Sequence, residues 1–223
     1  MKEFELKNTD PDDIEDLLVK VEKSFGIEFS ENELVNVQTF GELCDHIKNK
    51  IQLDQKDDCT SQQAFYKLRN VLSSILKVDK DEIIPNTQLV DLLPRQLRKT
   101  KIKQIEQSLG FKLALLRPPH FVTNFLLLLL LGSIISLFFS WQLGLSGIGL
   151  SIGGLWFAFK VGNELDLKTV GQVAEKMTRE NYLKSRRNSK TFNEKEIERV
   201  LIDWFSNDLV IAKSKLTREA RLT

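Results

Sequence analysis

Between residues 121 and 159 the chain runs 39 positions without an Asp, Glu, Lys or Arg, and no other feature constrains its fold as strongly. One bilayer pass needs about 20 apolar residues, so this stretch suits two passes joined by a tight turn better than one long helix. The first pass is expected over residues 121–141. The second, over 143–159, is short and rich in glycine (Gly144, Gly147, Gly149, Gly153, Gly154), with the turn near residues 142–147. A re-entrant segment that dips in and returns is the alternative for that second half. Trp141 is expected at the far interface and Trp156 near the return one.

Cations crowd both ends. Arg95, Arg98, Lys99, Lys101, Lys103, Lys112 and Arg117 precede the apolar stretch, and Lys160, Lys168, Lys176 and Arg179 follow it. The positive-inside rule then predicts a multi-pass protein of the cytoplasmic (inner) membrane with both termini in the cytoplasm. Residues 1–16 hold no apolar run that reads as a cleavable signal, so the hairpin itself is expected to direct insertion. Gly132, Ser136 and Ser140 in one pass and Gly149 and Gly153 in the other recur at four-residue spacing, which lets helix backbones approach closely. Packing within the hairpin is the plainer reading of them, and contact between copies the other. With no acid, base or histidine inside the stretch, an ion pathway has no support.

The polar arms differ in charge. Residues 1–60 carry 16 acids against 7 bases, a balance of −9, so the remainder must hold +10 to reach the net +1 of the chain. Cys44 and Cys59 form no disulfide framework or metal knuckle. The two histidines, His46 beside Asp45 and His120 after Pro118-Pro119, stand in no catalytic pattern, and no phosphate-binding glycine loop or metal-ligand spacing occurs. No enzyme activity, cofactor or metal is expected. The basic run lacks the interleaved aromatics of a nucleic-acid surface, so no nucleic-acid partner is expected either.

Comparing the arms with each other yields three gapless matches. Leu68, Leu72, Leu76, Val78, Ile83 and Leu89 correspond to Leu201, Phe205, Leu209, Ile211, Leu216 and Leu222 at an offset of 133. Leu18, Val21, Glu22, Phe25, Ile27 and Phe29 correspond to Ile102, Ile105, Glu106, Leu109, Phe111 and Leu113 at an offset of 84, each helix closing on a glycine, Gly26 or Gly110. Residues 39–44 match 169–174 at an offset of 130, with Thr39 and Thr169 placed to cap helices whose apolar faces are Phe40, Leu43, Ile47 and Val170, Val173, Met177.

These matches predict an all-α chain of two small helix bundles and a transmembrane hairpin. One bundle is split across the termini, residues 1–51 with 190–223, its closing helix near 194–209 capped by Thr191 and Glu194. After a polar linker over 52–61, the second takes 62–117 with 163–187, with helices near 62–76, 95–109 and 169–183 and the hairpin, 118–162, inserted within it. Residues 186–190 make a second polar linker.

Asp81 to Thr87, written Asp-Glu-Ile-x-Pro-x-Thr, followed by Ile-Glu-x-x-Leu-Gly-Phe in the next helix and then Thr-Val-Gly-Gln-Val-Ala, resembles acyl carrier proteins. The resemblance covers both arms and leaves out the hairpin and its connectors. It implies a small antiparallel helix bundle, and in the family a serine that opens the second helix carries a phosphopantetheine arm. Here the positions aligned with that serine are Pro11 and Arg95, so no arm can be tethered at either. The family's acidic second helix docks on basic partner enzymes, which marks Asp10, Asp12, Asp13, Glu15 and Asp16 as the expected docking site. In the other copy the sign is reversed, and the basic run from Arg95 to Arg117 is expected at anionic lipid headgroups, where each cation contributes about 1 kcal/mol.

Together these readings describe a membrane-anchored, non-catalytic, carrier-like adaptor for a soluble partner of lipid or acyl metabolism. A scaffold that self-assembles into homo-oligomers by swapping its terminal helix, and an atypical active carrier, are the alternatives.

Overall fold

The computed structural model describes residues 11–222. In chain order these form α1 (Pro11–Phe25), α2 (Phe40–Lys50), β1 (Asp54–Gln55), α3 (Thr60–Leu76), α4 (Leu89–Leu92), α5 (Arg98–Leu109), β2 (Leu116–Arg117), α6 (His120–Ser136), α7 (Trp141–Val161), β3 (Glu164–Leu165), α8 (Val170–Glu180), α9 (Tyr182–Ser185), β4 (Thr191–Phe192) and α10 (Glu194–Asp208). The strands are two residues long and pair only two by two. The fold is all-α, as the sequence leads one to expect. Two compact units divide it: residues 1–71 with 171–223, and residues 72–170. The division falls inside α3 and at the start of α8.

The first unit is built on the apolar faces of α1, α2 and α10. Leu17, Val21 and Phe25 recur at helical spacing and meet Phe40, Leu43 and Ile47 of α2 and Ile197, Leu201 and Phe205 of α10 in one core. Phe40 and Phe205 touch edge to face with ring centroids 5.1 Å apart. α2 begins with a capping box, Glu42 N–H donating to Thr39 Oγ1 while the Glu42 carboxylate accepts from Thr39 N–H. The tail beyond α10 returns through Leu216 and Ala220 to close the same core. α10 therefore packs on α1 and α2 of its own chain.

The offsets read from the sequence recur in the backbone. Gly26 and Gly110, 84 apart, both end their helices at positive φ, 63° and 80°. Glu22 accepts from Phe29 N–H at 2.5 Å, and Glu106 from Leu113 N–H at 2.7 Å, the same pair displaced by 84. An isolated bridge joins Thr39 to Arg221 and another joins Gln88 to Thr169, displaced by 130 on one side and 133 on the other. Phe40 N–H donates to Ala220 O as Val170 N–H donates to Thr87 O. Lys77 and Val210, 133 apart, share a left-handed backbone at φ 62° and 55°.

A β-branched residue is strained in that left-handed region. Val210 is also exposed, so its side chain gains little in return. Val210→Asn is expected to stabilise the first unit by about 1 kcal/mol, read as a raised urea midpoint.

Several local expectations need correction. α5 begins at Arg98, three residues after the expected start, because Pro94 opens a turn closed by Leu97 N–H on Pro94 O. α10 is capped by Asn193, whose side chain accepts from Lys195 N–H, and not by Thr191, whose hydroxyl instead donates to Asn188 O and accepts from Arg186 Nε. The helix expected over residues 169–183 stops at Glu180 and restarts as α9. Nor are the two polar linkers plain tethers, since β1 in one lies parallel to β4 just after the other.

In the second unit α6 and α7 form an antiparallel hairpin with the lengths opposite to expectation: α6 has 17 residues and α7 has 21. The turn is residues 137–139, where three successive N–H groups bond three residues back, and extended Ser140 (φ −154°) starts the new helix. Nothing in Leu-Phe-Phe announces a turn. The five glycines of the second half, where a re-entrant segment was the alternative, sit inside one continuous helix.

Candidate functional site

Where the hairpin joins its unit, a neck is built from short polar contacts. β2 and β3 pair antiparallel, with Arg117 opposite Glu164, so both ends of the hairpin leave side by side. Gly162 lies against the backbone of Arg117 and Pro118, and a Cβ there would come within 2.6 Å of Arg117 C. Lys99 Nζ donates to Val161 O and Arg98 Nη1 to Asn163 O, each at 2.6 Å, placing cations on the carbonyl end of α7, where the helix dipole favours them. Asn163 Nδ2 donates back to Arg95 O, and Arg95 pairs with Glu164 at 3.0 Å.

This geometry revises the expected headgroup surface. Arg98 is only 4 % exposed and donates to Leu93 O and Asn163 O, so it faces the neck and not lipid. Lys101 is half-buried and donates to Ile75 O, and Arg117 pairs with Asp166 at 3.6 Å and with His120. Lys99, Lys103 and Lys112 are exposed.

The hairpin closes on small residues other than those first singled out. A methyl group at Gly144 would collide with Leu137, at Gly147 with Ser133, and at Gly154 with Leu126. With buried Ser151 and Ala158 they form a seam along α7 at alternating spacings of three and four. Gly132, Gly149 and Gly153 have open space where a side chain would stand. They do not serve closure within the hairpin. Ser136 is half-buried and donates to Ser133 O, while Ser140 marks the start of α7.

Outside the seam the hairpin is apolar and uncovered: twenty large apolar side chains from Phe121 to Val161 are exposed, against seven in the rest of the described chain. Among the described residues one helix, α7, is long and apolar enough to cross a membrane by length and composition, and α6 is a shorter apolar helix.

In the arms, Asp12, Asp13, Glu15 and Asp16 lie exposed along the first turns of α1, while Asp10 lies outside the described residues. Pro11 is the first residue of α1, and Arg95 sits in the turn before α5. Cys44 is buried and its thiol pushed up to about 12 by desolvation, whereas Cys59 is exposed. Among the described residues no cluster of three or more His, Cys, Asp or Glu side chains is placed to hold a metal.

His46 belongs to an ion-pair group with Glu33, which accepts from His46 Nε2 and Lys50 Nζ at 2.6 Å. The Lys50 hydrogen bond, then those of Ser30 N–H and His46, hold the Glu33 carboxyl down at about 2. A depressed carboxylate contributes stability that is present above its unfolded value, near 4.5, and lost as pH falls toward 2. The stability difference between wild type and Glu33→Gln is therefore expected to shrink between pH 4.5 and 2 in urea titrations. A difference constant over that window would refute the linkage.

Sequence reasoning missed one buried polar group altogether. Arg186, 3 % exposed, donates to Thr191 Oγ1, to Asp58 O and Thr60 Oγ1, and to Lys56 O, drawing the two linkers together. Beside it Glu196 accepts from Thr60 N–H at 3.0 Å and from the Tyr182 hydroxyl at 3.3 Å. These residues lie mostly in segments of loop composition, where no periodicity marks a buried side chain.

No family model matches this chain, and neither a curated protein nor a solved structure matches it.

Proposed function

We propose that the chain is a membrane-anchored, non-catalytic adaptor: a hairpin seated in the inner membrane, carrying acyl-carrier-like arms without the attachment serine that hold a soluble partner of acyl or lipid metabolism at the cytoplasmic face. The uncovered apolar surface of α6 and α7 carries this reading. In water it would forfeit roughly 25 cal/mol for each Å² of apolar area left unburied, and nothing in the described chain covers it. At 1.5 Å per residue α7 reaches about 31 Å, the thickness of a hydrocarbon core, and α6 about 25 Å, to which the tight turn adds about 6 Å. The paired strands at the neck favour both ends lying on one side, and the cations there favour the cytoplasm.

Pro11 and Arg95, where the resemblance would place a serine, bear no hydroxyl, and Arg95 is engaged by Glu164. That supports work by contact and not by covalent cargo. The exposed acids of α1 are the docking surface. Closure of α10 within its own chain favours this adaptor over a scaffold assembled by swapped helices.

The test is fractionation followed by pull-down. The full chain stays in the membrane pellet after alkaline carbonate, and deleting residues 120–161 releases it. Asp12, Asp13, Glu15 and Asp16 changed together to Lys abolish partner co-purification from native membranes, and the purified chain gains no mass on co-expression with a phosphopantetheinyl transferase. Release of the full chain by carbonate ends the anchoring, unchanged co-purification ends the docking site, and a pantetheine adduct ends the contact mechanism.

A further inference from the structure

The hydroxyls of α6 and α7 bond to their own helices. Thr123 donates to His120 O, Ser133 to Leu129 O, Ser136 to Ser133 O, Ser146 to Leu143 O and Ser151 to Gly147 O. Asn124 does not follow them. It is exposed, and among the contacts of the described residues its amide makes no hydrogen bond, although it offers both donors and an acceptor.

Its position decides what can satisfy it. Asn124 stands four residues beyond His120, which opens α6, and at 1.5 Å per residue that is about 6 Å inside a hydrocarbon core matched by the length of α7. Nine residues further on, Ser133 is buried in the closing seam against Gly147. Nine steps of about 100° lead to the opposite side of a helix, so Asn124 faces directly away from α7. On that outward side the face continues through Leu128, Leu131 and Ile135, at steps of four, three and four, and all three are exposed. Such steps let one helix lie along another.

Leucine is as well accommodated by lipid as by protein, so the apolar part of this face asks for no particular cover. An amide without a hydrogen-bond partner in hydrocarbon is costly, and Asn124 therefore selects the occupant. It needs a donor and an acceptor together, at its own depth, and a second copy supplies both by symmetry. With every neck on one side of the bilayer, two α6 helices meet in parallel about a two-fold axis along the membrane normal, where each residue faces its own equivalent. Each Asn124 amide N–H then donates to the carbonyl of the other, and Leu128, Leu131 and Ile135 close in layers beyond it. Gly132 flanks this face with open space at its Cβ position, which leaves room for the neighbouring backbone.

We infer that the chain pairs with a second copy of itself within the membrane through the outward face of α6, the two Asn124 amides bonded to each other. Such a dimer rests on the proposed seat of the hairpin in the bilayer, and not on the docking acids or the missing serine.

The experiment uses the full chain in lipid vesicles at low protein-to-lipid ratio, where chance collisions do not cross-link. Exposed Cys59 is replaced by Ser, buried Cys44 is kept, and one cysteine is placed in α6. Under a mild oxidant Leu131→Cys is expected to form the disulfide-linked dimer, and Leu130→Cys, half-buried three residues before Ser133 on the α7 side, is not. Adding Asn124→Leu to Leu131→Cys should weaken pairing about tenfold, read as a shift of the cross-linking curve to higher protein-to-lipid ratio. Far-UV circular dichroism should stay unchanged, because the residue lies away from the seam. Release of the chain by alkaline carbonate ends the anchor and the dimer together. Equal cross-linking at positions 130 and 131, or pairing undiminished by Asn124→Leu, in chain that carbonate leaves in the pellet overturns the dimer alone and assigns Asn124 to lipid headgroups.

Discussion

Phe205→Ala is expected to cost the first unit about 3–5 kcal/mol, the range for deleting a fully buried aromatic ring. Phe205 is wholly buried, meets Phe40 edge to face, and belongs to the helix that closes the core of α1 and α2 from the far end of the chain. Urea unfolding in micelles reads the change cleanly if Trp141 and Trp156 are first replaced by Phe, leaving buried Trp204 as the reporter. The position 133 residues earlier gives a parallel case in the second unit, where Leu72 is also buried and Leu72→Ala should cost about 2–5 kcal/mol, read by circular dichroism because Trp204 reports on the first unit. A loss below about 1 kcal/mol at Phe205 would mean that α10 does not seat on α1 and α2 in solution.

The pairing of Leu72 with Phe205 shows what the sequence made legible. Apolar residues that must share a core repeat with the period of the helix, so Val21 and Ile105, or Leu43 and Val173, announce equivalent faces, and both members of each pair are buried. Glycines at helix ends were readable for the same kind of reason, because the left-handed backbone at Gly26 and Gly110 favours a residue without a side chain. The hydrogen bonds of Glu22 and Glu106 follow from two identical residues at the same place on matched helices.

What stayed illegible has no period. Arg98 and Arg186 are long cations in polar segments, where composition predicts a solvated face. Both are buried because carbonyls left open at the end of α7 and in the linkers needed donors. The hairpin turn was hidden for another reason: in an apolar run, hydropathy is flat, and glycine reads as a breaker or as a packing residue with equal ease. Only the register of the two helices decides between those meanings. Here it put Gly144, Gly147 and Gly154 inward and Gly132, Gly149 and Gly153 outward. The charge runs divide likewise, since the acids of α1 stay on an exposed face while half of the basic run is consumed by the neck.

That register makes two neighbouring glycines unequal. Gly147→Leu is expected to weaken the hairpin by about 3 kcal/mol, because its Cβ alone would overlap the side chain of Ser133, which already donates to Leu129 O and lies in the seam. Gly149→Leu, two residues on, meets nothing and should change stability by less than about 0.5 kcal/mol, or raise it slightly by replacing glycine within a helix. Trp156 emission in a background with Trp141 and Trp204 replaced by Phe, followed while SDS is titrated into mild detergent, gives the midpoint for each variant. The seam predicts an early midpoint for Gly147→Leu and an unshifted one for Gly149→Leu. Equal shifts would mean that small residues act here only through backbone flexibility, and the reverse order would place the closing face of α7 on its opposite side.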